Sequence, residues 1–201
     1  MATRNGLIKK TKINQYASIR RNGLNAINLK DEDELIQVRM TTGENQILVF
    51  TRNGYAIRFS EKDIRSTGRN TTGVKAITLR HGDIAVSMDI VDESQDVLVV
   101  SENGFGKRTH VDEYTIHRRG GKGMITYKVT EKTGLIVGAR IVKDEDEIML
   151  INNSDVAIRL NVSEISTTSR NTMGVTLMKN EDKQRVVAIA KIDCSDDIDD
   201  K

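Results

Sequence analysis

His117-Arg118-Arg119-Gly120-Gly121-Lys122-Gly123 crowds cations and glycines into one short segment. Glycine has no side chain and admits backbone angles that other residues avoid. A loop of this composition can bring backbone N–H groups against an anion and hold fixed positive charge beside them. Contact with a phosphate group is the chemistry that fits. No competing chemistry has the right spacing. His81, His110 and His117 are scattered, and no cysteine stands with them in a zinc-ligand pattern. Gly121-Lys122 is like the end of a nucleotide P-loop, but Ile116 stands where that motif needs a glycine and Gly123 where it needs Ser or Thr. Asn103-Gly104-Phe105-Gly106 lacks the third glycine of a dinucleotide loop. Paired carboxylates such as Asp31 and Asp33 read as a solvated turn. The sequence predicts no catalytic residue, no metal ligand and no cofactor.

The elements that must position the loop come from a repeat. Thr3-Arg4-Asn5-Gly6-Leu7-Ile8-Lys9-Lys10 is answered by Thr51-Arg52-Asn53-Gly54-Tyr55-Ala56-Ile57-Arg58 and by Ser101-Glu102-Asn103-Gly104-Phe105-Gly106-Lys107-Arg108. A weaker copy, Asn152-Asn153-Ser154-Asp155-Val156-Ala157-Ile158-Arg159, has one extra residue in its turn. A period of roughly fifty residues is in the range of propeller blades and related arrays. In each unit an apolar run, such as Gln46–Phe50, Asp96–Val100 or Glu147–Ile151, leads to the turn. Asn-Gly is the strongest two-residue hairpin signal. These runs are rich in Val, Ile and Leu and too short for helices, and no stretch sustains a helical period. The prediction is four β units over about 1–50, 51–100, 101–150 and 151–192, with no linker between them.

Within the unit, two positions are always cationic. One series is Lys10, Arg58, Arg108 and Arg159; the other is Arg21, Arg69, Arg119 and Arg170, each followed by a glycine at Gly23, Gly73, Gly123 or Gly174. Lys9, Arg20, Lys107, Arg118 and Lys122 flank them. Cations that merely solvated strand ends could be exchanged for Glu, Gln or Ser, so the repetition points to a ladder of phosphate contacts. The expected DNA-binding set is therefore Lys9, Lys10, Arg20, Arg21, Arg58, Arg69, Lys107, Arg108, Arg118, Arg119, Gly120, Gly121, Lys122, Gly123, Arg159 and Arg170. Acidic residues gather at Asp31–Glu34, Asp92-Glu93 and Asp144–Glu147, read as turns between the later strands, which would separate a basic rim from an acidic region. Tyr16 and Tyr114 stand at matching places before Arg21 and Arg119 and are expected to pack beneath the loops. Aromatic residues make up only 3% of the chain, too few for a single-strand stacking platform, so duplex is the expected form.

A net charge of +2 hides this asymmetry. Residues 193–201 carry −4, so the body from 1 to 192 stands at +6. The tail, with its five aspartates, is expected to be disordered, and it reads equally as a competitor of DNA for the basic surface or as a solvated terminus that aids solubility. No apolar run approaches a membrane span and no signal core opens the chain. A lone cysteine, Cys194, fits a reducing cytoplasm. The chain opens almost directly on a hairpin, which suggests a piece of a longer polypeptide.

Arg118 to Gly123 matches six of the seven positions of the gyrase A-subunit box, Gln-Arg-Arg-Gly-Gly-Lys-Gly, with His117 in place of Gln. Together with the Asn-Gly hairpins, Lys107-Arg108-Thr109, the Gly68–Gly73 segment and the acidic tail, this makes the whole chain resemble the C-terminal domain of the DNA gyrase A-type chain. The related topoisomerase IV domain shares the blades but usually has a degraded box. The resemblance implies an all-β β-pinwheel, propeller-like and usually six-bladed, with strands exchanged between neighbours, of which about four four-stranded blades are present. It also implies duplex DNA wrapped on a basic rim, in support of ATP-driven negative supercoiling. The implied partners are double-stranded DNA, the N-terminal cleavage core of the gyrase A chain and the gyrase B chain, in the bacterial cytoplasm at the nucleoid. In that family the best box lies in the first blade, so this one looks like a secondary box. A topoisomerase IV domain, or a propeller-like scaffold for protein contacts, is the alternative.

Overall fold

The computed structural model describes residues 1–18 and 21–192. Its only helices are single 3₁₀ turns at Ile13–Tyr16, Glu61–Asp63, Val111–Glu113 and Val162–Glu164 among the described residues. The rest of the regular structure is β, as expected. The first unit supplies β1 (Ala2–Thr3), β2 (Leu7–Ile8) and β3 (Leu35–Gln37). The second supplies β4 (Gln46–Thr51), β5 (Tyr55–Ser60), β6 (Val74–Lys75) and β7 (Ala85–Ile90). The third supplies β8 (Asp96–Ser101), β9 (Phe105–His110), β10 (Met124–Ile125) and β11 (Ile136–Val142). The fourth supplies β12 (Glu147–Asn152), β13 (Ala157–Asn161), β14 (Val175–Thr176) and β15 (Val186–Ile192).

The Asn-Gly signal marks the hairpins, but the turn is longer than a two-residue one. Arg52-Asn53-Gly54 joins β4 to β5, with Phe50 opposite Ala56. Gly54 adopts φ 89° and donates its N–H to the Thr51 carbonyl at 3.2 Å. A three-residue hairpin loop closes this way because its last residue must be left-handed, which suits glycine.

Each unit lends a strand to the one before it. The sheets read β3-β1-β2-β6, β10-β5-β4-β7, β11-β8-β9-β14 and β13-β12-β15 among the described residues. Thus β6 pairs with β2, β10 with β5 and β14 with β9, with Val74 opposite Ile8, Met124 opposite Ala56 and Val175 opposite Gly106. Every lent strand is preceded by a glycine at positive φ: Gly73, Gly123 and Gly174. A Cβ on any of them would collide with the carbonyl of Ile8, Ala56 or Gly106 on the accepting strand. These glycines close the exchange, so the recurring glycine has a packing cause before any ligand is considered.

Exchange also explains the unbroken apolar runs. Ile47 and Val49 of β4 enter one core with Ile8, Phe59 and Met88, while Leu48 and Phe50 enter the next with Val97, Val99 and Tyr114. A strand buried on both faces reads as continuous apolar sequence and not as alternation. In the last blade, β12 alternates, with Ile148 and Leu150 buried and Met149 and Ile151 partly exposed. Around the array β3, β7, β11 and β15 lie against one another in succession, so they form the inner edges of the blades. The lent strands form the outer edges, and the loops leading into them lie on the outer rim.

One expectation about charge is corrected. The acidic clusters occupy two different corners. Asp33 accepts the Asn5 N–H at 2.9 Å beside the hairpin turn, as Asp83 does for Asn53 at 3.0 Å. Glu93 and Asp144 lie at another corner, where they pair with Arg58 and Arg108. Repeat position therefore does not sort acid from base into two regions; one acidic corner pairs with Arg58 and Arg108 of the first cation series.

Candidate nucleic-acid interface

Four of the expected phosphate ligands turn inward. Lys9 and Lys107 are 2% and 0% exposed. The Lys9 ammonium donates to the carbonyls of Ala26 at 3.0 Å and Gly68 at 2.9 Å, and to that of Arg69. Lys107 donates to the carbonyls of Ser169 and Arg170. Burial drives the Lys107 pKa down to about 8, with Arg170 adding to the shift and Glu113 opposing it. Arg58 reaches the carbonyls of Val111 and Tyr114, both at 3.1 Å, and pairs with Glu93. Arg108 donates to the Ile165 carbonyl at 2.8 Å and pairs with Asp96 and Asp144. Each cation reaches across from one unit to the loop or 3₁₀ turn of the next. Their donors are engaged by carbonyls that the exchange leaves unpaired inside the protein, so none of the four faces a phosphate. Lys10, half-buried, bonds the Glu61 carbonyl at 2.9 Å and pairs with its carboxylate. Arg159 is exposed and pairs with Glu147.

The second series lies where a ligand can reach it. Arg69, Arg119 and Arg170 are half-buried on the rim loops, and Arg21 is exposed. Arg119 donates to the carbonyls of Asp63 at 2.9 Å and Lys75 at 3.1 Å; Arg170 donates to that of Ile125 at 2.9 Å; Arg69 donates to that of Asn25 at 3.3 Å. These arginines tie their loops down with part of the guanidinium while the side chains stay partly exposed. Arg118 and Lys122 are exposed. So are Arg65, Lys75 and Lys128 nearby in the chain, which the repeat pattern does not single out. Arg20 and the tail from 193 to 201 lie outside the described residues.

Tyr114 packs as expected: it is fully buried, and its hydroxyl lies 2.6 Å from that of Thr126. Burial pushes its phenol pKa up. Tyr16 is half-buried, with its hydroxyl 3.4 Å from the Ala26 carbonyl.

The glycine loop differs from its two neighbours in backbone exposure. Its carbonyls face inward and sideways. Gly121 O accepts from the Thr78 N–H at 2.8 Å, Gly120 O from the Thr78 hydroxyl at 2.7 Å, and Lys122 O from Arg80 at 2.9 Å. Gly120 adopts φ 82° and donates to the Ala76 carbonyl. Gly123 serves the strand exchange. Gly121 does neither: its φ is ordinary, it is exposed, and a Cβ there would make only van der Waals contact with Ile57, 3.4 Å away. No contact among the described residues requires glycine at 121. Arg118 and Lys122 stand on either side.

Against this geometry, the four units match one family model in full succession. Residues 1–42, 45–92, 95–143 and 146–193 each fit the repeat described as "DNA gyrase C-terminal domain, beta-propeller". The chain belongs to the DNA gyrase C-terminal domain family. It is 58% identical to the DNA gyrase A chain of Clostridium acetobutylicum over 196 residues, which is 98% of this chain and 24% of that protein. Identity to the corresponding gyrase chain of Staphylococcus epidermidis is 48% over 198 residues, 98% of this chain and 22% of that one. The chain thus spans about a quarter of the length of these relatives. Among solved structures, the C-terminal domain of DNA topoisomerase IV superposes with TM-score 0.90 at 28% identity, over 95% of this chain and 60% of that one. The gyrase A C-terminal domain gives 0.86, also at 28% identity, over 95% of this chain and 64% of that one. The exchanged-strand blade array is the fold of this gyrase family.

Proposed function

We propose that this chain binds duplex DNA along its outer rim without reading sequence and holds it curved. In the complete gyrase, beside the cleavage core and the gyrase B chain in the bacterial cytoplasm, the curved duplex serves ATP-driven negative supercoiling. One observation carries the proposal. The loops that enter the lent strands recur on the outer edge, each with an arginine at the same place, and the glycine loop adds Arg118, Lys122 and an unobstructed Gly121. Cations and N–H groups that meet phosphates fix the path of the duplex but carry no sequence information. Bending a 20–30 bp site costs on the order of 1–6 kcal/mol, which contacts spread over successive blades can offset. Strand cleavage and ATP hydrolysis are assigned to the rest of the enzyme.

Replacing Arg118 and Lys122 with Ala should weaken binding to a linear duplex by roughly ten- to a hundredfold at low salt, at about 1 kcal/mol or slightly more per charged contact. Both side chains are exposed, so the melting temperature should hold. Gly121→Ala should leave the fold intact and still weaken binding, because the added methyl stands where the phosphate approaches. Electrophoretic mobility shift and thermal melting on the same samples check both results. Normal binding by folded R118A/K122A protein would remove the glycine loop from the interface and leave a scaffold for protein contacts as the better reading.

A further inference from the structure

The three described rim loops that enter lent strands are held in place by different means, and the glycine loop lacks the device that the other two share. In the loop ending at Gly73, the Thr71 hydroxyl donates to the Gly68 carbonyl at 2.9 Å and lies 2.9 Å from that of Thr67, while Lys9 holds the carbonyls of Gly68 and Arg69 from below. In the loop ending at Gly174, Thr172 donates to the Ser169 carbonyl at 2.9 Å and lies 2.9 Å from Thr168, with Lys107 beneath. At the matching places the glycine loop has Gly121 for the threonine and Ile57 for the lysine. It can form neither the internal tie nor the lysine anchor.

Two side chains of the preceding unit fill the gap. A backbone clasp is common to all three loops: Asn28 to Thr71, Thr78 to Gly121 and Lys128 to Thr172, each from N–H to carbonyl. Only at Thr78 does the side chain of the clasping residue also reach its loop, at Gly120 O. Two residues on, Arg80 sits over the Tyr55 ring, its guanidinium carbon 3.2 Å from the ring centre, and donates to Lys122 O. Stacking on an aromatic face fixes a guanidinium that would otherwise sample many rotamers.

We propose that Thr78 and Arg80 are positioning residues for the glycine loop: they hold its carbonyls away from the rim so that its N–H groups and Lys122 face the phosphate. The proposal rests on the rim-binding reading above. Thr78 is the cleaner probe. It carries no charge, so its loss removes no direct ion contact with DNA, and the backbone clasp, which uses the Thr78 N–H, is kept in Thr78→Val and Thr78→Ser.

The experiment is a double-mutant cycle on the whole chain, read by duplex affinity at fixed low salt. Thr78→Val should lower affinity roughly three- to tenfold, the usual scale for one hydrogen bond, and Thr78→Ser should restore it. In an R118A/K122A background the same Thr78→Val change should have a clearly smaller effect, because Lys122, the charged group it helps to position, is gone and only the backbone N–H groups remain. Equal losses in both backgrounds, or a loss that Ser does not rescue, would overturn the positioning role. If Thr78→Val unfolds the protein, Arg80→Ala is run through the same cycle, with Arg80→Lys as the control that keeps charge but loses the planar stack. A wild-type chain that fails to bind duplex would overturn the rim reading itself. A wild type that binds, with Thr78→Val unchanged, would overturn only this inference.

Discussion

Binding of this chain to duplex DNA should weaken by roughly a thousandfold when monovalent salt rises from about 50 to about 200 mM. The figure follows from counting the cations that remain on the rim. Among the described residues, Arg21, Arg69, Arg119, Arg170, Arg118 and Lys122 are the expected ligands still placed to meet a phosphate. Six neutralised phosphates release counterions with a slope of log K against log salt near roughly −5. Both recurring cation series together, taken from sequence, would give a slope near roughly −7. The difference is measurable, and it tests how many cations of the rim meet the duplex. A slope near roughly −7 would mean that cations beyond these six also meet phosphates, the exposed Arg65, Lys75 and Lys128 first among them. A slope shallower than about −2 would remove the rim from the binding surface altogether.

The burial of Arg58 and Arg108, two members of the first cation series, separates what is legible in the sequence from what is not. The repeat, the hairpins and the all-β class are legible because turn residues and apolar runs obey local rules. The position of the loops on one rim follows from their fixed place in the unit. The fate of the first series does not. Arg58 and Arg108 recur because each exchange leaves carbonyls of the following unit without partners, and an arginine from the preceding strand satisfies them. A repeated internal requirement and a repeated external ligand leave the same mark on a sequence. Only the destination of the side chain separates them. Gly123 shows the same ambiguity, since its glycine is required by the Ala56 carbonyl, whereas Gly121, three residues after Arg118 and without an internal requirement, is the better ligand candidate. Thr78 and Arg80 carry no signal in the sequence because their partners lie about forty residues away in the next unit.

Lys107→Ala should be among the most destabilising single changes in the chain, by about 2–4 kcal/mol near neutral pH. The loss has two parts. The carbonyls of Ser169 and Arg170 lose a charged donor, and a buried acceptor left without a partner costs about 1–3 kcal/mol. The removed methylenes also leave a cavity in a fully buried site. Lys107→Met should be milder, because it refills the space and removes the desolvation penalty of a buried charge. Ile57 shows that an apolar residue suits this place when the loop above is held by other groups, as Thr78 and Arg80 hold the glycine loop. The pH dependence identifies the ammonium. Burial lowers its folded pKa to about 8, below the ordinary 10.5, so between those values the unfolded chain binds more protons than the folded one. Stability contributed by this group therefore rises with pH from about 8 to 10.5 and is flat below. Chemical denaturation of wild type and Lys107→Met across that window should show the wild type gaining on the variant as pH increases. Parallel curves would mean that Lys107 is not buried as an ammonium between two blades, and the anchor assigned to the fourth unit's loop would fall with it.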